Sequence, residues 1–143
     1  MTPKTYLSQY AAAERRIQYL EERKEHWRRR AMRITPQYGP SSGHSSGPND
    51  PISMAVEKVC EVEAEIIAEI DKAVDLRREV KAAIDAVPDP IQREVLERRY
   101  IGLQSLERIA VEMNYSYRQI LRLHGWALQQ VSIPAEKMAH HVT

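Results

Sequence analysis

The sequence predicts an all-α protein, and three observations support that class. Phe is absent and only 5 of the 143 residues are Gly, while Ala, Glu, Arg, Leu and Ile dominate, which is typical of amphipathic helices. Two long stretches repeat apolar residues at alternating spacings of four and three. A third stretch, nearer the C-terminus, divides into short helical patterns with capping residues between them. We therefore expect a long antiparallel helical hairpin, or coiled coil, followed by a three-helix bundle.

The first predicted helix occupies residues 1–34. Thr2 supplies an N-cap and Pro3 a favourable first-turn residue, whereas Thr35 precedes Pro36 and so avoids the α region. Between these ends runs one apolar stripe, which only Lys24 interrupts. The other members of the stripe are Tyr6, Tyr10, Ala13, Ile17, Leu20, Trp27, Ala31 and Ile34.

A predicted flexible linker at residues 35–50 follows, because this stretch combines Pro, Gly and Ser and is too poor in apolar groups to fold alone. Asp50 then caps a second helix, residues 51–88, which begins at Pro51 and ends at Pro88. Its expected apolar stripe has the same alternating spacing. The members are Ile52, Val56, Val59, Glu63, Ile66, Ile70, Ala73, Arg77, Val80, Ile84 and Val87.

The charges of these two long arms are complementary. Residues 1–34 carry nine Lys or Arg against four Glu, whereas residues 52–88 carry five basic against nine acidic side chains. The arms can therefore pair within one chain or between chains, and heptad spacing alone does not separate these outcomes. We favour pairing within the chain, with further self-association of the hairpin into a homo-oligomer.

Residues 89–131 are predicted to form a separate domain of three shorter helices. Asp89 opens the third helix of the chain, and Gly102 closes it. Ser105 caps the fourth helix, in which Ala110 is small enough for another helix to cross closely.

The joint after the fourth helix predicts a helix-turn-helix. Asn114 tolerates the left-handed backbone of a sharp turn, and Ser116 with Gln119 immediately supplies a capping box for the fifth helix. That helix reaches about Val131, and two helices joined by a three-residue turn make the motif. Residues 132–143 are expected to be a frayed tail.

The fifth helix is expected to present one exposed face opposite its buried stripe, as a recognition helix does in the major groove of DNA. On such a face Arg donates bidentate bonds to guanine, Tyr or Leu meets thymine methyl groups, and Gly lets the backbone approach the duplex. Polar groups at the helix start hold a phosphate. The candidate DNA-binding residues are Ser116, Tyr117, Arg118, Gln119, Leu121, Arg122 and Gly125.

The rest of the sequence predicts no catalytic, metal or cofactor site. Carboxylates of the second helix recur at heptad flanks, as on a solvated coiled-coil face, and Ser105 and Ser116 serve as helix caps. Cys60 is the single cysteine, and no zinc-ligand spacing joins it to the five His residues. No apolar run approaches the ~18 residues of a membrane span, and the start lacks the apolar stretch of a signal peptide. We therefore expect a cytoplasmic protein that is not an enzyme.

Two aromatic or basic features leave alternatives open. Arg28, Arg29 and Arg30 are either a phosphate clamp or a solvated, salt-bridged face, and acidic residues on the facing arm favour the second interpretation. Those acidic residues are Glu61, Glu63, Glu65 and Glu69. Trp126 is either a core residue or a surface aromatic for a partner.

A resemblance to the fourth region of bacterial sigma factors, which reads the upstream promoter element, is carried by LERIAVEMNYSYRQILRLHGWAL, preceded by REVLERRY. The start YLSQYAAAERRIQYLEE, the linker and DLRREVKAAIDAVPDP further resemble small phage-encoded sigma-like regulators, close to the ArpU and RinA types of late-gene activators. This similarity covers nearly all of the chain up to Val131 and includes nothing like the promoter-melting second region. It implies an accessory activator that binds double-stranded promoter DNA with RNA polymerase in the bacterial host cytoplasm.

Two other functions fit the same parts. Small terminase subunits of phage DNA packaging also join a helix-turn-helix to a long helical hairpin and assemble into rings. A helical adaptor would use the C-terminal bundle only for docking and would bind no DNA. The order of the parts and the sequence pattern favour the regulator.

Overall fold

The computed structural model describes residues 1–34 and 50–139 and confirms the all-α class. Every regular element within these two ranges is a helix. The helices are α1 (Pro3–Leu7), α2 (Gln9–Ile34), α3 (Pro51–Asp85), α4 (Pro90–Leu96), α5 (Leu106–Met113), α6 (Tyr117–Gln129) and α7 (Ala135–Ala139), with a π-helical turn, Glu97–Ile101, directly after α4. The predicted linker lies outside the described residues except for Asp50.

Side chains cap five of these helices as the sequence predicts, including α5 through Ser105 and α6 through Ser116. The Thr2 hydroxyl accepts a hydrogen bond from the backbone amide three residues later, at 3.1 Å. Carboxylate oxygens of Asp50 and Asp89 each accept one from the amide two residues later, at 3.4 and 2.8 Å. These bonds satisfy amides that have no partner within a helix, so short local signals fix where α1, α3 and α4 begin.

Three element boundaries differ from the prediction. The first helix is interrupted at Ser8, whose hydroxyl donates to the carbonyl four residues earlier at 2.7 Å, and the second long helix ends at Asp85 rather than at Pro88. The expected frayed tail instead contains α7. Ile133 packs against a buried cluster and ties the chain down after α6, which explains why order continues beyond Val131.

The helix-turn-helix belongs to a compact unit that comprises Met1–Ala13 and Ala73–Thr143. Tyr6 and Leu7 of α1 are only 1% and 0% exposed. They pack in one cluster with Val80, Ile84, Val87, Leu96, Tyr100, Ala127 and Val131. The predicted domain boundary at Asp89 therefore differs from the packing, because α1 and the last turns of α3 cover the apolar faces of α4 and α6.

The other compact unit comprises Glu14–Lys72. Here α2 and α3 pack through a buried cluster of Leu20, Val62 and Ile66, against which Trp27 lies. An ion pair at 3.9 Å joins Arg16 of α2 to Glu65 of α3, with both side chains about half exposed. The basic and acidic arms thus contact each other within this unit, whereas further self-association stays a prediction.

The apolar stripe predicted for α3 is correct at alternate positions from Ile66 to Val80 and again at Ile84 and Val87, which are fully buried. Ile66, Ala73 and Val80 are buried as expected, but Val56 and Ile70 are 49% and 44% exposed. Three further residues, Ala55, Val62 and Leu76, are buried although the predicted stripe does not include them. From Ala55 to Val80, the spacings of four and three along the buried face therefore alternate in the opposite order from the predicted one. Because α3 is apolar on both faces, spacing alone does not show which face is buried.

Candidate nucleic-acid interface

The turn between α5 and α6 has the geometry that the sequence predicts. Asn114 has φ 60° and ψ 39°, in the left-handed region that Asn tolerates better than most residues. The Tyr115 amide donates to the Ala110 carbonyl at 3.0 Å and so closes the end of α5. Since Ser116 is already the N-cap of α6, only three residues separate the two helices.

A capping box fixes the start of α6. The Ser116 hydroxyl accepts a hydrogen bond from the Gln119 amide at 3.1 Å, and the Gln119 side-chain oxygen accepts one from the Ser116 amide at 3.0 Å. Tyr115 and Ile120 lie in the same apolar cluster below the turn, in the positions of a hydrophobic staple. Ser116 and Gln119 therefore orient α6 through their own hydrogen bonds.

The inner side of α6 is held by two apolar clusters. Ile120 is fully buried among residues of α4 and α5, and Ala127 is fully buried among residues of α1, α3 and α4. A helix has 3.6 residues per turn, so Arg118, Arg122 and Gly125 lie on the side of α6 opposite these two residues.

All seven candidate DNA-binding residues are exposed. Tyr117 and Leu121 remain 46% and 44% exposed although both side chains are large. A Cβ added to Gly125 would meet no atom within 4 Å, so the space outside this backbone is open. The structure therefore brings the predicted residues together on the outer side and at the start of α6.

Arg118 and Arg122 differ from the other arginines between residues 89 and 139. Among the described residues, neither guanidinium group has a hydrogen bond or an ion pair, and both side chains are exposed. The remaining arginines of this segment bind acceptors within the chain, and they are Arg93, Arg98, Arg99 and Arg108. Two guanidinium groups on the outer side of α6 are thus available to an external acceptor.

Two of the arginines with partners inside the chain share one carboxylate, that of Glu112. Arg98 and Arg108 both bind Glu112, at 2.5 and 2.9 Å, and so connect the π-helical turn to α5. The hydrogen bond from Arg108 is the largest of the causes that lower the pKa of Glu112. These positive charges support the motif from within and contribute little to attracting a polyanion.

A shallow groove of about 260 Å³ lies beside the candidate face, and sequence reasoning did not identify it. It is lined by Asp89, Ile91, Tyr115, Gln119, Arg122, Leu123 and Trp126. Ile91 and Trp126 are 42% and 54% exposed, so of the two locations considered for Trp126 the surface is the one found. The sequence signal for this groove is the spacing of four residues between Arg122 and Trp126, which places both side chains on one side of α6.

On the inner side of α6, His124 is hydrogen bonded to Tyr100. The Tyr100 hydroxyl lies 2.7 Å from His124 Nε2, and the two rings stack with centroids 5.7 Å apart. Burial lowers the pKa of His124, and the charges of Arg99 and Lys4 lower it further. Burial likewise raises the pKa of the Tyr100 phenol. A neutral imidazole is therefore favoured here, where it joins α6 to the π-helical turn.

The arginines near the end of α2 form a solvated surface. Arg28 and Arg29 pair with Glu25 of the same helix at 3.8 and 3.5 Å, and the Arg30 guanidinium lies 5.7 Å from the Trp27 ring centroid. Their partners are therefore on α2 itself and not among the Glu residues of α3. Such exposed pairs contribute little to stability.

Within residues 1–34 and 50–139, no three His, Cys, Asp or Glu side chains come together in a way that could hold a metal ion. His44, His140 and His141 lie outside these ranges. Within the same ranges, each helix is too short or too polar to cross a membrane.

Comparisons of the chain with models of protein families, with characterised proteins and with solved structures gave no match. The case for the candidate interface therefore depends on its own geometry. That geometry is a tightly capped second helix of a helix-turn-helix, with two unpaired arginines and an open glycine on its outer side.

Proposed function

We propose that this protein is a sequence-specific DNA-binding transcription regulator whose α6 enters the major groove. The observation that supports it best is that Arg118 and Arg122 alone, among the six arginines from residue 89 to 139, have no acceptor among the described residues. The major groove of B-DNA admits an α-helix, and guanine offers O6 and N7 there to a guanidinium group. Two guanidinium groups one helical turn apart suit two neighbouring base pairs.

The other candidate residues have complementary roles in this proposal. Tyr117 and Leu121 place apolar surface where thymine methyl groups lie in the groove. The open side of Gly125 lets the α6 backbone approach the bases. The capping box leaves other first-turn amides of α6 without a partner, and in this proposal those amides bind a phosphate of the DNA. Ser116 and Gln119 set the orientation of these amides.

Charge predicts that one subunit binds DNA modestly. Residues 89–143 carry seven basic and six acidic side chains, and four of the basic ones are already engaged within the chain. Each phosphate contact adds about 0.9 to the steepness with which the logarithm of the binding constant falls with the logarithm of salt concentration. Few contacts therefore mean weak nonspecific binding. We therefore propose that several subunits bind together and that the long helices α2 and α3 form the homo-oligomer.

The cellular role follows from the sequence resemblance to sigma-like phage regulators. On that basis we propose a late-gene activator of a phage or prophage that acts in the host cytoplasm at promoters with host RNA polymerase. The groove at Trp126 is compatible with a protein partner beside the DNA.

Binding-site selection from a random duplex library tests the proposal. We expect the full-length protein to enrich one short motif with guanines at fixed positions, and gel shifts to favour promoter DNA over packaging-site DNA. Enrichment of packaging-site DNA together with a ring-sized mass would favour a terminase subunit. Binding to no duplex at low salt would favour a helical adaptor and contradict DNA binding altogether.

A further inference from the structure

Helix α3 carries a second apolar stripe that no described residue covers. Val56, Ile67, Ile70 and Val74 are 49%, 63%, 44% and 50% exposed. Together with the exposed residues Cys60 and Glu63 they follow steps of four and three along one side of the helix. We call these six residues the outer stripe. Such spacing is typical of a helix that packs lengthwise against another helix.

The positions of the outer stripe are symmetric about a point midway between residues 68 and 69. Ile67 and Ile70 are equally distant from that point, as are Glu63 and Val74 on either side of them. Two copies of α3 that lie antiparallel about this point would therefore place Ile67 of each copy against Ile70 of the other. A symmetric pair of copies requires this kind of self-complementary surface.

The charges of α3 have the same symmetry and opposite signs. Residues 54–65 carry four Glu and one Lys, whereas the symmetric stretch, residues 72–83, carries four basic and two acidic side chains. Glu57 and Arg78 lie on the same flank of the stripe, so an antiparallel pair would bring each near the other residue of the second copy. A parallel pair would instead place two acidic stretches together, and like charges destabilise such an arrangement.

We propose that a second copy of this chain covers the outer stripe, with the two α3 helices antiparallel and centred between residues 68 and 69. This inference deepens the proposed self-association of the long helices and rests on it. Other segments of the chain suit the stripe less well. Between residues 9 and 33 of α2, Tyr19 and Met32 are the large apolar residues more than half exposed, and they lie 13 residues apart. Residues 35–49 contain Tyr38 as their one large apolar residue.

Disulfide cross-linking of the full-length chain tests the register. In a Cys60→Ser background, the pair Glu63→Cys with Val74→Cys should give a covalent dimer under mild oxidation, because residue 63 of each copy meets residue 74 of the other. The same two residues cannot be joined within one helix, since 11 residues span about 16 Å and a disulfide requires Cα atoms within about 7 Å. A nonreducing gel reports the dimer.

The matched control is Glu65→Cys with Lys72→Cys, a pair that is also symmetric about the midpoint between residues 68 and 69 but lies on the opposite side of α3, with both positions exposed. It should stay monomeric on the same gel. Cross-linking of the control to the same extent would overturn the proposed surface. Cross-linking of Glu63→Cys alone would indicate parallel helices and would overturn the proposed register.

Mass measurement separates this inference from the self-association on which it rests. Ile67→Glu should raise the dimer dissociation constant at least tenfold without lowering the melting temperature of the monomer, because Ile67 is 63% exposed. Met32→Glu, at an equally exposed apolar residue of α2, should leave the dimer intact. A wild-type chain that is monomeric at tens of micromolar contradicts self-association itself. An oligomer that Ile67→Glu does not weaken contradicts only the outer stripe.

Discussion

The Gly125→Ala variant tests whether the glycine at position 125 serves DNA binding or folding. Within a helix, Gly is about 0.5–1 kcal/mol less favourable than Ala because it loses more backbone entropy on folding. The added Cβ meets no atom within 4 Å, so nothing in the folded chain offsets that gain. We therefore expect Gly125→Ala to raise the free energy of unfolding by about 0.5–1 kcal/mol, which is about 1–4 °C in melting temperature for a chain of this size.

The same variant should weaken DNA binding, because its methyl group occupies space through which the α6 backbone approaches the duplex. We expect about a tenfold higher dissociation constant, or about 1.4 kcal/mol, by fluorescence anisotropy on the selected site. Gly102→Ala is the contrasting control. Its Cβ would lie 2.8 Å from the Arg98 carbonyl oxygen, a backbone atom, so this variant should lose stability. A Gly125→Ala protein that is more stable and binds DNA as tightly as wild type would refute the close approach.

Further predictions concern the helix caps and the buried histidine. Ser105→Ala and Ser116→Ala each remove a 3.1 Å cap bond, so each should lower the free energy of unfolding by about 1 kcal/mol in chemical denaturation. Only Ser116→Ala should also weaken DNA binding evenly across sequences, and equal effects of both variants on binding would contradict this. His124 has a lowered pKa in the fold, so the unfolded chain takes up a proton first as pH falls below about 6.5. Stability should therefore decline as pH falls below about 6.5 and level off below the folded pKa, and a His124→Gln protein with the same decline would contradict that origin.

The sequence predicted the turn and caps of the helix-turn-helix well because these signals act over a few residues. Asn114 takes the left-handed backbone, and Ser116 and Gln119 form both bonds of the capping box. Each of these features depends on hydrogen bonds between near neighbours, so the identities of the residues determine the outcome. The outward direction of the candidate residues followed from helical periodicity in the same way.

Features that depend on distant contacts were predicted less well. Spacing showed that α3 is amphipathic but not which of its two apolar sides packs inward, so Ile70 was assigned to the wrong one. Tyr6 and Leu7 gave no sign that they would pack with residues more than 70 positions later. Gly102 was expected to close its helix, and it does so directly after the π-helical turn, where the next residue, Leu103, takes the positive φ of 55°. Tertiary packing decides each of these points.

Arg122→Ala, compared with wild type in binding-site selection, tests the central claim most directly. Arg122 is exposed and has no acceptor among the described residues, so the variant should melt at the wild-type temperature. It should lose about 1–3 kcal/mol on the preferred site and relax the preference at one or two base pairs. Arg28→Ala, on α2, should leave the selected motif unchanged. If Arg122→Ala selects the same motif with the same affinity as wild type, α6 does not read DNA through this residue and the proposed docking is wrong.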